Sequence, residues 1–353
     1  MSAKRWVFVT DRADAHVARF DRLFSGLSDS YELLSLALDD AGKISVRDSG
    51  KTFSGWSAVR DYLKGADVVI SGPLDSVSIP LSGGDYSHVG ISWATDVMVS
   101  AAGSSVVRAS LSEALEGMHA VVTDNYATEN ALIALGMRES AIIRVPWGPE
   151  NPRSDIPPKS ASRLREQVGV GQDQTLLLYP RSLEPHYDPM VFVAALAEIV
   201  SSHPQVVAVL VESGSGVPEA KEAITHRGID DFVRWVPLQS PDAFSSLLQA
   251  ADAVVVTPKT DGTSVTVMEA MSQGIPVVCS LTPGSAEWIS EGITGWSFPV
   301  GDSAGLVIAL EKFLSSPPEE VLAITSRAQR LVELRAGWVR SSQILADALG
   351  PLF

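Results

Sequence analysis

Residues 260–280 read TDGTSVTVMEAMSQGIPVVCS, and this stretch decides the fold because it places a loop and a helix between two apolar runs. The preceding run, ADAVVVTP (251–258), and the following one, IPVVCS (275–280), are continuously apolar, as expected of parallel strands covered on both faces. Gly274 and Pro276 predict the end of the intervening helix. The stretch is therefore one strand–helix–strand repeat of an open α/β sheet.

The same alternation of strands and helices runs along most of the chain. Two series of it are separated by a proline-rich segment, PWGPENPRSDIPPKSAS (146–162), which we interpret as a linker. We therefore expect two doubly wound α/β domains with right-handed crossovers. The predicted strands are 5–10, 32–38, 66–71, 88–93, 119–124 and 141–146 before the linker, and 175–180, 206–212, 232–237, 251–258 and 275–280 after it. The predicted helices are 14–27, 126–136, 188–201, 217–226, 240–249, 264–273 and 337–353.

Size and composition narrow the class of protein. A chain of 353 residues is long enough for two domains of ordinary size. The net charge is −15 and both halves are acidic, which disfavours nucleic-acid binding and leaves membrane association peripheral at most. The single cysteine, Cys279, excludes a disulfide framework and a cysteine-rich metal site, and fits a cytoplasmic location. The start of the sequence, MSAKRWVFVTDRADAH, has the pattern of neither a signal peptide nor a membrane anchor.

The opening stretch also carries two acids, Asp261 and Glu269, on either side of a predicted helix start. Ligands of open α/β sheets bind outside the carboxyl ends of the strands, and the first amides of a helix attract phosphate. Glu269 would then lie where it can accept hydrogen bonds from a vicinal diol. Alternatively, Asp261 or Ser264 is only an N-cap and Glu269 only a solvated helix residue, although its apolar neighbours favour burial with a partner. The amides expected to face the phosphate are those of Gly262, Thr263, Ser264 and Val265.

Residues 261–302 resemble the donor-site signature of the family-4 retaining glycosyltransferases of GT-B fold. The shared pattern is an acid, seven residues, Glu-Ala-Met, small-x-Gly-x-Pro-Val-Val, a Pro-Gly turn, Glu-x-Ile, and Gly-x-x-Gly before Gly-Asp. The similarity extends to 231–258, to AIIRVPWGPEN (141–151), and to the C-terminal GWVRSSQILADAL. It is strong from about 175 to 315 and only architectural before 118.

The resemblance implies a GT-B architecture, in which two doubly wound Rossmann-like domains face a cleft. Residues 1–150 would form the acceptor-binding domain and residues 151–336 the domain that binds a nucleotide-sugar donor. Residues 337–353 would form a helix that crosses back to the N-terminal domain. The nucleotide is expected over the strand ends near 235–239 and 261–265 and at 212–216, with Trp235 among the donor-binding residues.

Site roles follow from the resemblance wherever a residue matches the family pattern. Glu269 would bind the ribose hydroxyls, and Asp261 would bind hydroxyls of the transferred sugar, in place of the usual Glu. The backbone amides of Ser264 and Val265 would meet the donor phosphates. Arg181, in LYPRSLEPHYD, would pair with the diphosphate, for which its forked donors are suited.

Two departures from the family pattern affect the expected chemistry. The family usually has a Lys-Gly pair five residues after the arginine, whereas this chain has His186 and Tyr187. We interpret this Arg-x-Leu-Glu-Pro-x-Tyr arrangement as a subfamily variant; the alternatives are a catalytically poor relative, and a His186 that is only a loop residue. The second departure is in the first domain, where TDRADAH (10–16) replaces the Gly-Gly loop that the family often carries.

Acceptor-side residues are less readable from the sequence. Asp96 is a candidate base or acceptor-orienting group, and equally a helix cap. Trp93 and Trp147 are candidates for stacking on a sugar ring, with core packing as the alternative.

The expected function is transfer of a sugar from a nucleoside-diphosphate sugar to a hydroxyl of a glycan, lipid-linked or small-molecule acceptor in cytoplasmic carbohydrate biosynthesis. Asp261, Arg181 and Asp96 are the catalytic candidates, and the resemblance implies retention by front-face displacement without a divalent metal or another cofactor. Three rival hypotheses are a non-catalytic partner that binds nucleotide sugar, a GT-B nucleotide-sugar epimerase, and a two-domain binding protein of another class, which would not require the acid pair. The epimerase is disfavoured because the sequence lacks a rich set of acidic and histidine residues for acid/base work.

Overall fold

The computed structural model of the 353-residue chain describes residues 4–11, 19, 22–24, 31–39, 42–47, 49–149, 158–237 and 241–350. The chain divides into two compact units. The first comprises Met1–Trp147 together with Ala336–Phe353, and the second comprises Gly148–Arg335. Both units are α/β, and each is built around its own sheet. Within the described residues, no helix combines the length and apolar character that crossing a bilayer requires.

The sheet of the first unit has eight strands among the described residues, in the order β4-β3-β2-β1-β5-β6-β7-β8. The six strands from β2 to β8 in this order are parallel, whereas β3 and β4 pair antiparallel at one edge. The bounds are β1 Trp6–Thr10, β2 Glu32–Leu38, β3 Ile44–Val46, β4 Thr52–Phe53, β5 Val68–Gly72, β6 Ser87–Ile91, β7 Ala120–Thr123 and β8 Ile142–Arg144. The order reverses between β1 and β5, which makes that the switch point of this sheet.

Helices cover the first sheet on its described connections. They are α1 Trp56–Leu63, α2 Ile79–Leu81, α3 Ser105–Glu116 and α4 Tyr126–Ala134, with π-helical turns at Leu74–Ser78 and Asp96–Ala101. The C-terminal helix, Trp338–Leu349, belongs to this unit, where the Ser341 hydroxyl donates to the Pro146 carbonyl at 2.9 Å.

The sheet of the second unit has six parallel strands in the order β11-β10-β9-β12-β13-β14. This is the doubly wound order of a dinucleotide-type domain, and its switch point lies between β9 and β12. The strands are β9 Thr175–Tyr179, β10 Val206–Val211, β11 Val233–Val236, β12 Ala253–Val256, β13 Val277–Ser280 and β14 Trp296–Phe298. The helices are α5 Pro158–Gln167, α6 Pro189–Ser202, α7 Val217–His226, α8 Pro241–Ala250, α9 Val265–Ser272, α10 Ser303–Ser315 and α11 Pro318–Arg335.

Each strand predicted from the sequence is present, within three residues at either end. The predicted helices 126–136, 188–201, 217–226, 240–249, 264–273 and 337–353 are also found on described residues, whereas most of 14–27 lies outside them. The prediction missed the short strands β3, β4 and β14 and the helices α1, α2, α3, α10 and α11. It also read 146–162 as a linker throughout, although α5 begins at Pro158; residues 150–157 lie outside the described residues.

Candidate functional site

Two loops meet at the switch point of the second sheet. One follows β9 and carries Arg181; the other follows β12 and carries Asp261. The Nη2 of Arg181 lies 3.2 Å from the Oδ2 of Asp261, and its Nη1 donates to the Ser264 hydroxyl at 3.2 Å. Residues separated by about eighty positions in sequence are thus brought together where a doubly wound sheet receives its ligand.

The guanidinium of Arg181 is held on several sides. Its Cζ lies 3.8 Å from the centre of the Tyr187 ring, a cation–π contact, and its side chain is only 13% exposed. Burial is the largest single influence on the pKa of Arg181 and lowers it, but the carboxylate of Asp261 together with Tyr187 and Tyr179 makes the net shift upward. Arg181 therefore presents a permanent, oriented positive charge at the site.

The loop that carries Arg181 rests on the turn after β10. Leu183 donates its N–H to the Ser213 carbonyl at 2.6 Å and accepts from the Gly216 N–H at 2.7 Å. Gly214 has a φ of +104°, and a Cβ there would lie 2.7 Å from the backbone nitrogen of Leu183. Only glycine permits the backbone of this turn to lie so close to Leu183, so the turn fixes the position of the Arg181 loop.

The other end of the same loop is fixed to β12. The carbonyl of Tyr187 accepts hydrogen bonds from the Tyr179 hydroxyl at 2.8 Å and the Thr257 hydroxyl at 2.7 Å. The Lys259 N–H donates to the His186 carbonyl at 2.9 Å. The two loops are consequently one hydrogen-bonded assembly rather than independent segments.

The loop that carries Asp261 is also supported from β13. The Ser280 hydroxyl donates to the Pro258 carbonyl at 2.7 Å. A Cβ built on Gly284 would lie 2.3 Å from the Gly262 carbonyl oxygen and 2.6 Å from that of Asp261. The Pro-Gly turn noted in the sequence therefore packs closely against this loop and supports it.

Helix α9 begins directly after this loop, with Ser264 as the N-cap residue. The prediction of Ser264 as the N-cap is thus confirmed and the alternative, Asp261, is wrong, although no side chain makes a capping hydrogen bond there. The Ser264 hydroxyl accepts from Arg181 instead. The first hydrogen bond of the helix runs from the Met268 N–H to the Ser264 carbonyl at 3.0 Å. The N–H groups of the first turn of α9, beginning at Val265, precede this bond and have no acceptor within the helix. They form a suitable phosphate site.

Glu269 lies in the middle of α9 and is only 7% exposed. Its neighbours along the helix, Val267, Met268, Ala270 and Met271, are fully buried. The alternative in which Glu269 is a solvated helix residue is therefore wrong. A carboxylate this close to the helix start can accept hydrogen bonds from a ribose diol bound there.

His186 and Trp235 were predicted to bind the donor, and their surroundings favour this role less than those of Arg181 and Glu269 do. Burial, followed by the charge of Arg181, lowers the pKa of His186, which favours its neutral form and weakens its case as a phosphate ligand. Trp235 lies inside β11, packs against the hydrophobic core of its unit, and has the Lys221 ammonium 5.1 Å from its ring centre. This position favours a packing role for Trp235.

The acceptor candidate Asp96 is buried in the first unit, with 1% exposure. Its carboxylate accepts from the Ser92 hydroxyl at 2.7 Å and the Leu74 N–H at 2.8 Å. Further backbone donors are Val97 at 3.0 Å and Trp93 at 3.3 Å. Burial raises the pKa of Asp96 to about 6 in spite of these donors. The arrangement joins the ends of β5 and β6, so Asp96 organises two loops instead of presenting a free base.

A second buried polar group lies between the same strands. The His88 ring nitrogen Nε2 is 2.7 Å from the Ser71 hydroxyl, which also contacts the Ser78 hydroxyl at 2.8 Å. Burial, with a smaller effect of His119, lowers the pKa of His88 to about 4. The Trp93 ring packs on Gly72, where a Cβ would be 2.0 Å from the ring, and Trp147 is 7% exposed. This placement favours core packing over sugar stacking for Trp93 and Trp147.

The sequence analysis did not single out Lys259 and assigned no role to the ring of Tyr187. Lys259 is two positions before Asp261 in the same loop, and that proximity was the available signal. Tyr187 was noted only as the absence of a glycine, although its ring covers Arg181.

Comparison with solved structures identifies the class of fold. Solved structures similar to the whole chain include HepE from Anabaena in complex with UDP and glucose, with a TM-score of 0.80 and 19% identity over 98% of this chain and all of that one. A sucrose-phosphate synthase from Thermosynechococcus elongatus gives a TM-score of 0.80 and 16% identity, covering 99% of both chains. At these identities the likeness concerns the fold, which is that of the GT-B glycosyltransferases.

The sequence comparisons identify a family that the second unit resembles. Residues 160–331 match the family "Glycosyl transferases group 1". A D-inositol 3-phosphate glycosyltransferase of Saccharomonospora viridis is 29% identical over 199 residues, covering 54% of this chain and 46% of the relative. A second such protein, from Catenulispora acidiphila, is 29% identical over 213 residues, covering 56% and 48%. The matched segment thus spans about half the length of these curated relatives.

Proposed function

We propose that the protein is a retaining glycosyltransferase that moves a sugar from a nucleoside-diphosphate sugar to a hydroxyl acceptor. The observation that carries the proposal is the meeting of Arg181, Asp261 and Ser264 at the switch point of the second sheet, one turn or so from buried Glu269. This sheet lies within the segment that matches the glycosyl transferases group 1. Related folds have been solved with UDP and with UDP-glucose, which supports a nucleotide-sugar donor.

The roles of the cations and amides follow from where charge develops. When the bond between the anomeric carbon and the diphosphate oxygen breaks, negative charge grows on the leaving diphosphate. Arg181 and the first amides of α9 are oriented to stabilise that charge, which is the work that a divalent metal performs in other transferases. We therefore propose a metal-independent reaction without a resident cofactor.

Retention follows from front-face displacement in this proposal. The acceptor oxygen bonds to the anomeric carbon on the face that the diphosphate leaves, and the hydroxyl proton passes to a departing diphosphate oxygen. The protein positions the two partners and excludes water, and no side chain of the second unit is required as a nucleophile.

Asp261 changes partner in this scheme. It is the counter-ion of Arg181 at 3.2 Å, and a bound diphosphate would take over that partner because it carries more negative charge. The carboxylate is then released towards the hydroxyls of the transferred sugar. Glu269 would hold the ribose hydroxyls through charge-assisted hydrogen bonds.

The acceptor is assigned to the first unit as a glycan, a lipid-linked glycan or a small molecule, and the location as cytoplasmic. The curated relatives are named for D-inositol 3-phosphate, a small polyhydroxylated acceptor. The family match lies in the second unit, so it bears on the donor more than on the acceptor.

Isothermal calorimetry of UDP, GDP, ADP and their glucose conjugates in metal-free buffer with EDTA tests the proposal. We expect saturable binding of one nucleotide, and slow release of free sugar from its conjugate until an acceptor is supplied. Failure of every nucleotide to bind would contradict a donor site. Tight binding with no transfer to any acceptor would favour the non-catalytic partner, and rapid hydrolysis without an acceptor would favour an epimerase.

A further inference from the structure

Lys259 occupies a position that the site described above does not explain. It stands in the loop between β12 and α9, and its N–H donates to the His186 carbonyl at 2.9 Å. Its ammonium lies 3.5 Å from the Oδ1 of Asp188, and its side chain is 56% exposed. The backbone of Lys259 is therefore fixed beside His186, while the charged end of the side chain is free to turn.

A diphosphate bound beside Arg181 would need a second cation to balance its negative charge. Asp261 neutralises Arg181, and Asp188 lies beside Lys259, so the two cations and two carboxylates balance before a ligand binds. A diphosphate adds at least two negative charges to this group. His186 is poorly suited to balance them, because burial and the neighbouring Arg181 favour its neutral form.

We propose that Lys259 is the second cation of the donor site, and that its ammonium moves from Asp188 to the diphosphate when the donor binds. This inference rests on the proposed donor site. A lysine is a point charge on a flexible four-carbon stem, so the exchange needs no change in the backbone. The neighbour of Asp188, Tyr187, has its ring on Arg181, which places Lys259 at the edge of the same anion site.

Two other lysines of the second unit have carboxylate partners of their own. The Lys221 ammonium pairs with Glu212 and lies over the Trp235 ring. Lys312 pairs with Glu291 at 2.7 Å. Neither contacts the loops that carry Arg181 or Asp261, so Lys312 provides a matched control of the same residue type in the same unit.

Binding of inorganic pyrophosphate tests the inference independently of the nucleobase. We expect Lys259→Met to weaken pyrophosphate roughly ten- to a hundredfold, the range for a lost hydrogen bond to a charged group. The free nucleoside should bind as it does to the wild type. The dependence of pyrophosphate affinity on salt should become shallower, since one ionic contact is gone. Lys259→Arg should retain most of the affinity, and Lys312→Met should match the wild type in each measurement.

Three results would overturn the inference. Pyrophosphate binding by Lys259→Met that equals the wild type would remove Lys259 from the site and leave the proposed function intact. Parallel losses for nucleoside and pyrophosphate, or a lowered thermal midpoint, would show a structural role. If the wild type binds neither pyrophosphate nor any of UDP, GDP and ADP, the donor site itself is wrong and this inference falls with it.

Discussion

The two sheets place polar side chains at the same kind of position and use them in opposite ways. In the second unit, Arg181 and Asp261 follow strands at the switch point and remain partly exposed, at 13% and 18% of their side chains. In the first unit, Asp96 and His88 lie between β5 and β6 with 1% and 3% exposure, and their contacts are with neighbouring strands and loops.

The difference lies in what each group can still bind. A partly exposed ion pair can exchange its partner for a charged ligand, because water already compensates part of the cost. A buried carboxylate that accepts several backbone and hydroxyl donors cannot turn to a ligand without leaving those donors unsatisfied. The same edge of a doubly wound sheet thus supports a binding site in one unit and a structural network in the other.

Arg181→Ala should produce the largest effect. We expect kcat with a nucleotide sugar to fall roughly 100- to 1000-fold, the cost of removing one oriented donor from a developing negative charge. Binding of the free nucleoside should change little, because it lacks the diphosphate. Steady-state kinetics together with calorimetry of the nucleoside measure both quantities.

Arg330→Ala is the matched control for that experiment. Arg330 lies in the same unit, is 68% exposed and pairs only loosely with Glu333 at 3.6 Å. Equal losses of turnover and nucleoside binding in Arg181→Ala would mean that Arg181 holds the ground state or the fold, and would weaken the contrast between the two sheets.

Asp96→Ala should act on stability rather than on chemistry. Removing the carboxylate leaves the Leu74 N–H and the Ser92 hydroxyl without their acceptor, at a cost of about 3 kcal/mol in the free energy of unfolding. Urea unfolding measures this loss. A variant of unchanged stability that has lost transfer would instead make Asp96 a catalytic base, and the proposed contrast would fail.

Glu269→Ala should weaken nucleotide binding by roughly 1.5–3 kcal/mol, because the ribose hydroxyls lose an ionised acceptor. Pyrophosphate has no ribose, so its affinity should be retained. Calorimetry of both ligands separates the two contributions. Glu219, which is exposed on α7, gives the control substitution Glu219→Ala. Unchanged nucleotide binding in Glu269→Ala would remove the ribose role.

Most of the fold was predictable because buried parallel strands are continuous apolar runs. Strands such as β9 and β10 are bounded by turn residues and stand out from their surroundings. The strands that were missed, β3, β4 and β14, have two or three residues each, too short for a periodic signal. The helix α11 was missed although it has 18 residues. It lies after the family signature, and no strand of the described residues follows it to mark the end of a strand–helix repeat.

The two acids of the candidate site were predictable because Asp261 and Glu269 lie on either side of a predicted helix start. Arg181 was assigned from its match to the family pattern, and the structure brings its guanidinium within 3.2 Å of the Asp261 carboxylate. The role of Asp96 could not be read, because its donors come from residues up to 22 positions away along the chain. Lys259 was missed for a similar reason: its neighbour Asp188 lies on a loop from another strand.

His88→Gln should produce the smallest effect and a change only in pH dependence. The pKa of His88 is lowered to about 4 in the folded chain, against an unfolded value near 6.5, so the unfolded chain binds the extra proton between these values. Stability that depends on neutral His88 is therefore complete above about pH 6.5 and is lost as the pH falls towards 4. The expected loss between pH 7 and 5 is about 1–2 kcal/mol.

Asp96 opposes this trend, since its pKa is raised to about 6 and the folded chain holds that proton more tightly than the unfolded chain. Because the pKa of His186 is also lowered, the wild-type pH profile is a sum of at least three effects, and only the difference between wild type and His88→Gln isolates His88. Glutamine can still reach the Ser71 hydroxyl but does not titrate. Urea unfolding at pH 7 and pH 5 should show that the variant loses less stability than the wild type. Identical losses would mean that His88 is hydrated and titrates normally, and the first unit would then contain an accessible polar group between β5 and β6 instead of a buried network.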